Sequence, residues 1–169
     1  GFENLFMQCW RMREEVLDIF ERTTGGRIIH SVNRIGGVRR DISDADLWGI
    51  VNRLEGMGHD FQTTARVFRT DPSIRHRLGG VGVLEATDAH RLGAVGPMAR
   101  ASGLAMDTRL GGGYGYDQLD LEPMVETDGD CLARVIVRVR EIELRLGEGP
   151  GVERLEPRAD APKTHARSS

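Results

Sequence analysis

Apolar residues recur every three or four positions in the first part of the chain, as they do on the buried face of an amphipathic helix. The pattern begins at about Asn4 and ends at about Thr23, where Gly25 is a suitable residue to stop a helix. The apolar stripe consists of Leu5, Cys9, Met12, Val16 and Ile19, widened by Phe6, Trp10 and Phe20. The other positions are mostly charged, so the pattern predicts a helix with one apolar and one charged face.

A second helical pattern starts near Ala45 and continues to about Thr70, where an Asp-Pro pair prevents further helix. Ser43 or Asp44 can cap its beginning. Gly56 and Gly58 interrupt the apolar stripe. The segment is therefore either one long helix or two helices bent at the glycines.

Three shorter helices are predicted next, over Ser73–Leu78, over Asp88–Leu92 with Thr87 as the cap, and over Met98–Ser102. The glycine-rich stretch Gly103–Gly115 has the composition of a long loop, and an extended piece follows near Pro123–Val125. Loops of this length in a compact domain are usually functional or mobile.

The last strong helical pattern runs from Asp130 to about Leu146, and acidic residues at its start suit the positive end of a helix dipole. After that helix Gly, Pro, Arg and Ser dominate and no apolar stripe remains, so residues 147–169 are predicted to form a loop or a disordered tail. The chain as a whole is predicted to be mainly α, with a helical domain over residues 1–146 and long loops rich in glycine and arginine.

Composition excludes several classes of protein. The formal net charge of the 169-residue chain is −3, which lacks the basic surplus of a general nucleic-acid-binding protein. Cys9 and Cys131 do not belong to a C-x-x-C pair, and no histidine pair has metal-ligand spacing, so no metal site is predicted. No signal peptide or membrane span is predicted either, and the abrupt helical start suggests a segment of a longer protein.

The stretch Gly25–Ile42 stands out between the first two helices because it is too apolar for a plain linker and too charged for a plain strand. It carries two glycine pairs, the second being Gly36-Gly37, and four arginines: Arg27, Arg34, Arg39 and Arg40. Arginine forks suit carboxylates, phosphates and buried ion pairs. The stretch is either a connecting loop whose arginines pair with acidic helix faces, or a loop that lines a site or a partner surface.

Four ordered motifs give the chain a family resemblance. Residues His30–Asp41 (HSVNRIGGVRRD), together with the segments Val16–Gly26, Gly96–Arg109 (GPMARASGLAMDTR) and Tyr116–Arg138, resemble the large subunit of energy-converting nickel–iron hydrogenases and the homologous quinone-site subunit of respiratory complex I. The motif RIGGVRRDI favours the hydrogenase branch, whereas YDQLDL and GDC favour the complex I branch. The resemblance implies a helical-bundle core fragment of the nickel–iron hydrogenase large-subunit-like fold.

The resemblance also implies a function. Such a subunit is part of an oxidoreductase whose cavity receives electrons from an iron–sulfur cluster on a partner subunit and passes them to a nickel–iron centre or to a quinone. It would lie on the cytoplasmic side of the inner membrane, held there by the other subunits of a respiratory or hydrogenase complex. The two C-x-x-C pairs of the hydrogenase centre are missing, so the chain is interpreted as a central portion that binds no cofactor itself and is inactive alone.

No complete catalytic set is visible, and the site candidates are ranked within that family frame. The loop with Arg34, Gly36, Gly37, Arg39, Arg40 and Asp41 is the first candidate for lining the cavity, where arginines could tune the cluster's potential or stabilise a negatively charged quinone. The second candidate is the group Arg100, Asp107 and Arg109. The third is Asp130 with Arg134, which could be a structural ion pair instead. Asp117, Asp120 and Asp128 are further carboxylates suited to acid–base work.

A second hypothesis belongs to a different class of protein: a non-catalytic helical assembly module that keeps the fold without metal or quinone chemistry. Either hypothesis leaves a core face that other parts of the protein normally cover. The isolated chain is therefore predicted to self-associate.

Overall fold

The computed structural model describes residues 2–111, 116 and 121–146. The chain divides after Arg66 into two compact units. Its regular elements are α1 (Glu3–Thr24), β1 (Asn33–Arg34), β2 (Gly37–Val38), α2 (Asp44–Thr70), α3 (Pro72–Leu78), α4 (Ala86–Arg91), α5 (Pro97–Ala101), a 3-10 helix (Thr108–Gly111) and α6 (Cys131–Leu146). The prediction of a mainly α fold is confirmed. The predicted tail, residues 147–169, lies outside the described residues.

In the first unit, α1 ends where the sequence predicts. Gly25 adopts a left-handed conformation with φ of 82°, and its N–H donates to the carbonyl oxygen of Glu21 at 2.8 Å. A glycine accepts this conformation without the steric cost that a Cβ would add.

The stretch after α1 forms a small antiparallel hairpin rather than an unstructured loop. Asn33 pairs with Val38 and Arg34 pairs with Gly37, which leaves Ile35 and Gly36 as a two-residue turn. Gly36 has φ of 88°, the conformation that such turns require of one residue. The sequence analysis missed these strands because two residues each are too few to show an alternating pattern.

Helix α2 is one continuous helix of 27 residues, so the single-helix alternative is correct. Ser43 is its cap: Ser43 Oγ accepts a hydrogen bond from the N–H of Asp46 at 3.2 Å, and Asp46 Oδ2 accepts one from the N–H of Ser43 at 3.4 Å. This reciprocal pair satisfies donors at the helix start in the manner of a capping box.

In the second unit the predicted short helices are present, with one correction. Helix α4 begins at Ala86, and its N-cap is Glu85, not Thr87. The N–H of Ala89 donates to the Glu85 carbonyl oxygen at 2.8 Å, which closes the first turn two residues earlier than predicted. The long loop that starts at Gly103 also contains the 3-10 helix, while residues 112–115 lie outside the described part of the chain.

Small side chains form the core of the second unit. Ala101, Ala133 and Val137 make a buried cluster where α5 packs against α6. Alanines at this contact allow the helix backbones to approach closely, and packing at such density is what stabilises a small core. The last turn of α5 and the start of α6 are thereby held next to each other.

None of the helices within the described residues is long and apolar enough to cross a membrane.

Candidate functional site

The arginines between α1 and α2 fall into two groups according to their partners. Arg27 pairs with the acidic face of α1: its guanidinium bonds Asp18 at 2.5 Å and Glu21 at 3.1 Å, and it also bonds Glu14. The hydrogen bond from Arg27 lowers the pKa of Asp18. The structural alternative, in which these arginines serve acidic helix faces, therefore holds for Arg27.

The hairpin arginines differ from Arg27 because they face solvent. Arg34 and Arg39 are exposed, and neither side chain has a hydrogen bond or an ion pair within residues 2–111, 116 and 121–146. Arg40 is exposed too, and its Nη1 donates to the carbonyl oxygen of Arg22 at 3.1 Å. The hairpin thus presents charge that the first unit does not neutralise.

A cavity of about 150 Å³ lies at the base of the hairpin, between the end of α1 and the start of α2. Its lining residues are Ile19, Arg22, Thr23, Arg40, Asp41, Ile42, Ala45, Asp46, Gly49, Ile50 and Arg53. Asp41 Oδ1 accepts a hydrogen bond from the N–H of Ile42 at 2.9 Å. The cavity therefore combines apolar walls with several charged groups, as small-molecule sites commonly do.

Arg53 lines this cavity and carries one unsatisfied donor. Its Nη2 pairs with Glu15 at 3.0 Å and with Asp18 at 3.4 Å, whereas its Nη1 is buried and has no hydrogen-bond partner among the described residues. A buried donor without an acceptor costs free energy. Arg53 was not among the predicted site residues, because its helical position resembles that of any solvated arginine.

The second candidate group is a nearly buried charge network in the other unit. Arg100 lies between Asp107, at 3.3 Å, and Glu141, at 2.5 Å, and its Nη1 also donates to the carbonyl oxygen of Met106 at 3.1 Å. Arg109 grips the same Asp107 through Nε at 2.8 Å and through Nη2. The structure thus brings together the three predicted residues and adds Glu141 from α6.

This network keeps Asp107 ionised. The hydrogen bond from the Arg109 side chain holds the pKa of Asp107 at about 2, well below its usual value of 3.8, although burial alone would raise it. A carboxyl group with this pKa is a poor proton carrier near neutral pH, because carriers work best with a pKa near the operating pH. The geometry favours Asp107 as a fixed charge that orients the two arginines.

The third candidate pair joins the start of α6 to the glycine-rich segment before α4. Asp130 caps α6: its Oδ1 accepts from the N–H of Ala133 at 2.7 Å, and its Oδ2 accepts from the N–H of Gly80 at 2.7 Å. Burial raises the pKa of Asp130, but the backbone donors, including the N–H of Leu132, outweigh burial and lower it.

The guanidinium of Arg134 donates hydrogen bonds to backbone carbonyl groups of the same region. Its Nη2 donates to the carbonyl oxygens of Gly82 at 2.5 Å and Gly129 at 2.8 Å, rather than to Asp130. Both members of the pair thus hold backbone in place, and the expected direct ion pair is replaced by two separate sets of backbone contacts.

One buried ion pair was not predicted from the sequence. Glu143 on α6 is only 1% exposed, and Arg69 near the end of α2 grips both of its carboxylate oxygens at 2.5 and 2.6 Å. The charge pattern along α6 gives no sign of this pair, because a buried glutamate and a solvated one have the same residue type. Asp117 and Asp120 lie outside the described residues, so their predicted roles stay predictions.

A solved structure of a respiratory membrane complex contains a similar fold. The chain superimposes on part of a protein from the structure of the membrane-bound sulfane sulfur reductase, an archaeal respiratory membrane complex, with a TM-score of 0.73 and 33% identity. The match covers 88% of this chain and 43% of that chain. The fold is therefore that of part of a protein found in an archaeal respiratory membrane complex.

The chain belongs to the family described as respiratory-chain NADH dehydrogenase, 49 Kd subunit, whose model matches residues 1–146. It is 41% identical over 143 residues to the C/D-type subunit of the NADH-quinone oxidoreductase of Phocaeicola vulgatus, a match covering 84% of this chain and 28% of that protein. It is 40% identical over 147 residues to the D-type subunit of the NADH-quinone oxidoreductase of Acidothermus cellulolyticus, a match covering 86% and 33%. The predicted resemblance is confirmed.

A third relative has a different electron donor in its name. The D-type subunit of the F(420)H(2) dehydrogenase of Methanosarcina mazei is 38% identical over 146 residues, covering 84% of this chain and 38% of that protein. The chain spans about a third of the length of these curated relatives.

Proposed function

We propose that this chain is part of a subunit that receives electrons from an iron–sulfur cluster on a partner polypeptide and delivers them to a quinone. The cavity at the base of the hairpin carries this proposal, because the charged residues Arg40, Asp41 and Arg53 line it beside apolar side chains. Two relatives are named as quinone oxidoreductase subunits, which supports quinone as the acceptor.

The described residues fit a quinone better than they fit a nickel–iron centre. The cavity volume of about 150 Å³ is large enough for a single six-membered ring. By contrast, the described residues contain no group of three or more His, Cys, Asp or Glu side chains that could hold a metal ion. No step through nickel or iron is therefore proposed for this segment.

The chain's own groups would bind the acceptor and manage its charge. A bound quinone supplies the site that takes up electrons and protons. The permanent charges of Arg40 and Arg53, which line the cavity, would stabilise negative charge that develops on the quinone oxygens. Asp41 lines the same cavity and uses Oδ1 for the N–H of Ile42, which leaves Oδ2 to accept a hydrogen bond from a protonated quinone oxygen.

The test uses the full-length subunit assembled with its partners. Asp41→Asn and Arg40→Gln should each lower kcat/KM for quinone by about tenfold or more, the size of effect typical of removing one proton-transfer or charge-stabilising group. Reduction of ferricyanide, which takes electrons before the quinone site, should not change. Arg11→Gln, on the exposed surface of α1, is the matched control.

Two results would overturn the proposal. Unchanged quinone kinetics in both cavity variants would remove the cavity from the reaction. About one nickel per subunit in elemental analysis of the assembled complex would instead favour a hydrogenase. A complex without nickel and without quinone reduction would favour the non-catalytic assembly module.

A further inference from the structure

A glycine without a side chain forms part of the wall of the cavity at the base of the hairpin. Gly49 lies in the second turn of α2, and the cavity-lining residues of that helix are Ala45, Asp46, Gly49, Ile50 and Arg53. These five positions recur at the spacing of one helix face. Gly49 lies within that face, one turn after Ala45 and one turn before Arg53. A side chain at position 49 would therefore project towards the cavity.

Neither backbone conformation nor close packing requires a glycine at this position. Gly49 lies inside a regular helix and does not have the positive φ that other residues avoid. A Cβ atom built on Gly49 would have no heavy atom of the described residues within 4 Å, apart from its chain neighbours and the nearby backbone of its own helix. Alanine is a better helix former than glycine, so the stability of α2 alone would favour a side chain here.

The missing side chain leaves space that matters in a cavity of this size. A methyl group takes up roughly 30 Å³, about the share of one water molecule in the liquid. The cavity volume is about 150 Å³, so an alanine at position 49 would remove about a fifth of it. A six-membered ring takes most of such a volume, and the groups attached to the ring must use the space that remains.

We propose that Gly49 determines the quinone specificity of the cavity: its lack of a side chain admits a ring that carries methyl substituents, which a side chain at position 49 would exclude. This inference rests on the proposed function, because it names the class of quinone that the same cavity accepts. Arg40 and Asp41 act on the quinone oxygens, whereas Gly49 limits the outline of the ring. Ile19 and Ile42 supply apolar walls against which a difference of one methyl group is felt.

The experiment uses the full-length subunit assembled with its partners and compares 1,4-benzoquinone with its tetramethyl derivative. Gly49→Ala should lower kcat/KM for the tetramethyl ring by about tenfold, mainly through a higher KM, because the added methyl group occupies the space of a ring substituent. The value for the unsubstituted ring should stay within about threefold of the parent, since that ring leaves the space free. Gly49→Leu should extend the loss to both quinones, because its longer side chain fills more of the cavity.

Gly56→Ala is the matched control. Gly56 lies in the same helix, is exposed like Gly49 and also has open space at its Cβ position, but it is not among the residues that line this cavity. Both alanine variants should unfold at the temperature of the parent complex or slightly above it, because alanine favours the helix. Only Gly49→Ala should alter the quinone kinetics.

Thermal stabilisation by the ligand measures binding without turnover. Tetramethyl-1,4-benzoquinone at about ten times the Kd of the parent should raise the unfolding temperature of the parent and of Gly56→Ala, because it binds the folded state. In Gly49→Ala a tenfold higher Kd should reduce this rise to less than about half.

Three results would overturn the inference. The first is that Gly49→Ala changes the kinetics of both quinones equally or of neither. The second is the same selective loss in Gly56→Ala. The third is a lower unfolding temperature of Gly49→Ala without quinone, which would show that the glycine serves packing.

The variants Arg40→Gln and Asp41→Asn separate this inference from the proposed function. Loss of quinone reduction in those variants, together with parent-like kinetics and binding in Gly49→Ala, would uphold the function and overturn the size limit. Parent-like kinetics in those variants, together with a reduced thermal shift in Gly49→Ala, would overturn the function and uphold the size limit on binding.

Discussion

Glu143 is the most completely buried ionisable residue in the described part of the chain, and its charge depends on one partner. The guanidinium of Arg69 donates one hydrogen bond to each carboxylate oxygen of Glu143. Such a bidentate pair is stronger than a single hydrogen bond and fixes the orientation of both side chains. Burying a carboxylate is costly, and a bidentate arginine repays that cost only while it is present. The pair therefore contributes little net stability compared with an apolar pair, but breaking it is expensive.

Arg69→Met should destabilise the chain by about 3–5 kcal/mol, because it leaves a buried carboxylate without a counter-charge. Urea unfolding measures this loss. Arg140→Met breaks an exposed ion pair with Glu126 and should cost less than about 1 kcal/mol. The double variant Arg69→Met with Glu143→Leu should recover much of the stability, and a double variant as unstable as Arg69→Met alone would contradict this account.

Asp107 should make stability depend on pH in the acid range. Its pKa in the folded protein is about 2, compared with 3.8 when unperturbed. Because the folded pKa is the lower one, the contribution is fully present above pH 4 and disappears as the pH falls towards 2, with a total of about 2 kcal/mol. The unfolding free energies of the parent and Asp107→Asn should therefore converge over this interval. A constant difference from pH 7 to pH 2 would refute the assignment.

At the scale of the element, the long helices could be predicted because their apolar stripes and end signals agree. Gly25 ends α1 and Ser43 begins α2, each through the local hydrogen bonds that its residue type favours. The hairpin could not be predicted as strands, because its pairing depends on one turn rather than on a repeated pattern. The start of α4 was misplaced because Thr87 is a good cap by residue type, yet Glu85 occupies that place.

The candidate site was predictable only where residues are close in sequence. Asp107 and Arg109 are two positions apart, and a family motif already contained both. Glu141 lies 41 positions from its partner Arg100, and Arg69 lies 74 positions from its partner Glu143. Only the packing of α6 reveals these contacts. Residue type and helical position alone do not separate a buried charge from a solvated one.

Gly129 lies two residues before α6 and should not tolerate a side chain. It has φ of 65°, and a Cβ there would lie 2.3 Å from the carbonyl oxygen of Leu84, a backbone atom that cannot move aside freely. Gly129→Ala should therefore destabilise the chain by about 3 kcal/mol or more. Gly80→Ala is the matched control, since its φ of 69° is similar but the space around it is open, and it should cost about 1 kcal/mol. Equal losses in thermal or urea unfolding would show that the contact with Leu84 is unimportant.

At the scale of the whole molecule, many large apolar side chains face solvent. In the first unit they include Phe6, Trp10, Leu47 and Trp48, and in the second unit Leu92 and Val95. Exposed apolar surface of this extent usually marks a face that contacts another protein or another part of the same protein. The assembly of related chains as subunits agrees with this interpretation.

The isolated 169-residue chain should self-associate in a concentration-dependent way, because water-exposed apolar groups gain free energy when they are buried. Light scattering over a range of concentrations measures the effect. Trp48→Ser should reduce the association, whereas Arg77→Glu should leave it unchanged. A monomer at high protein concentration would contradict the prediction.

The capping of α6 by Asp130 has a consequence for the order in which the protein acquires its structure. The carboxylate that receives the N–H of Gly80 comes fifty residues later in the chain. During synthesis the glycine-rich segment of residues 79–84 leaves the ribosome well before Gly129 and Asp130, which accept hydrogen bonds from its Leu84 and Gly80 N–H groups. These contacts cannot form until the start of α6 has emerged, so this segment completes its structure only after about fifty further residues have been synthesised.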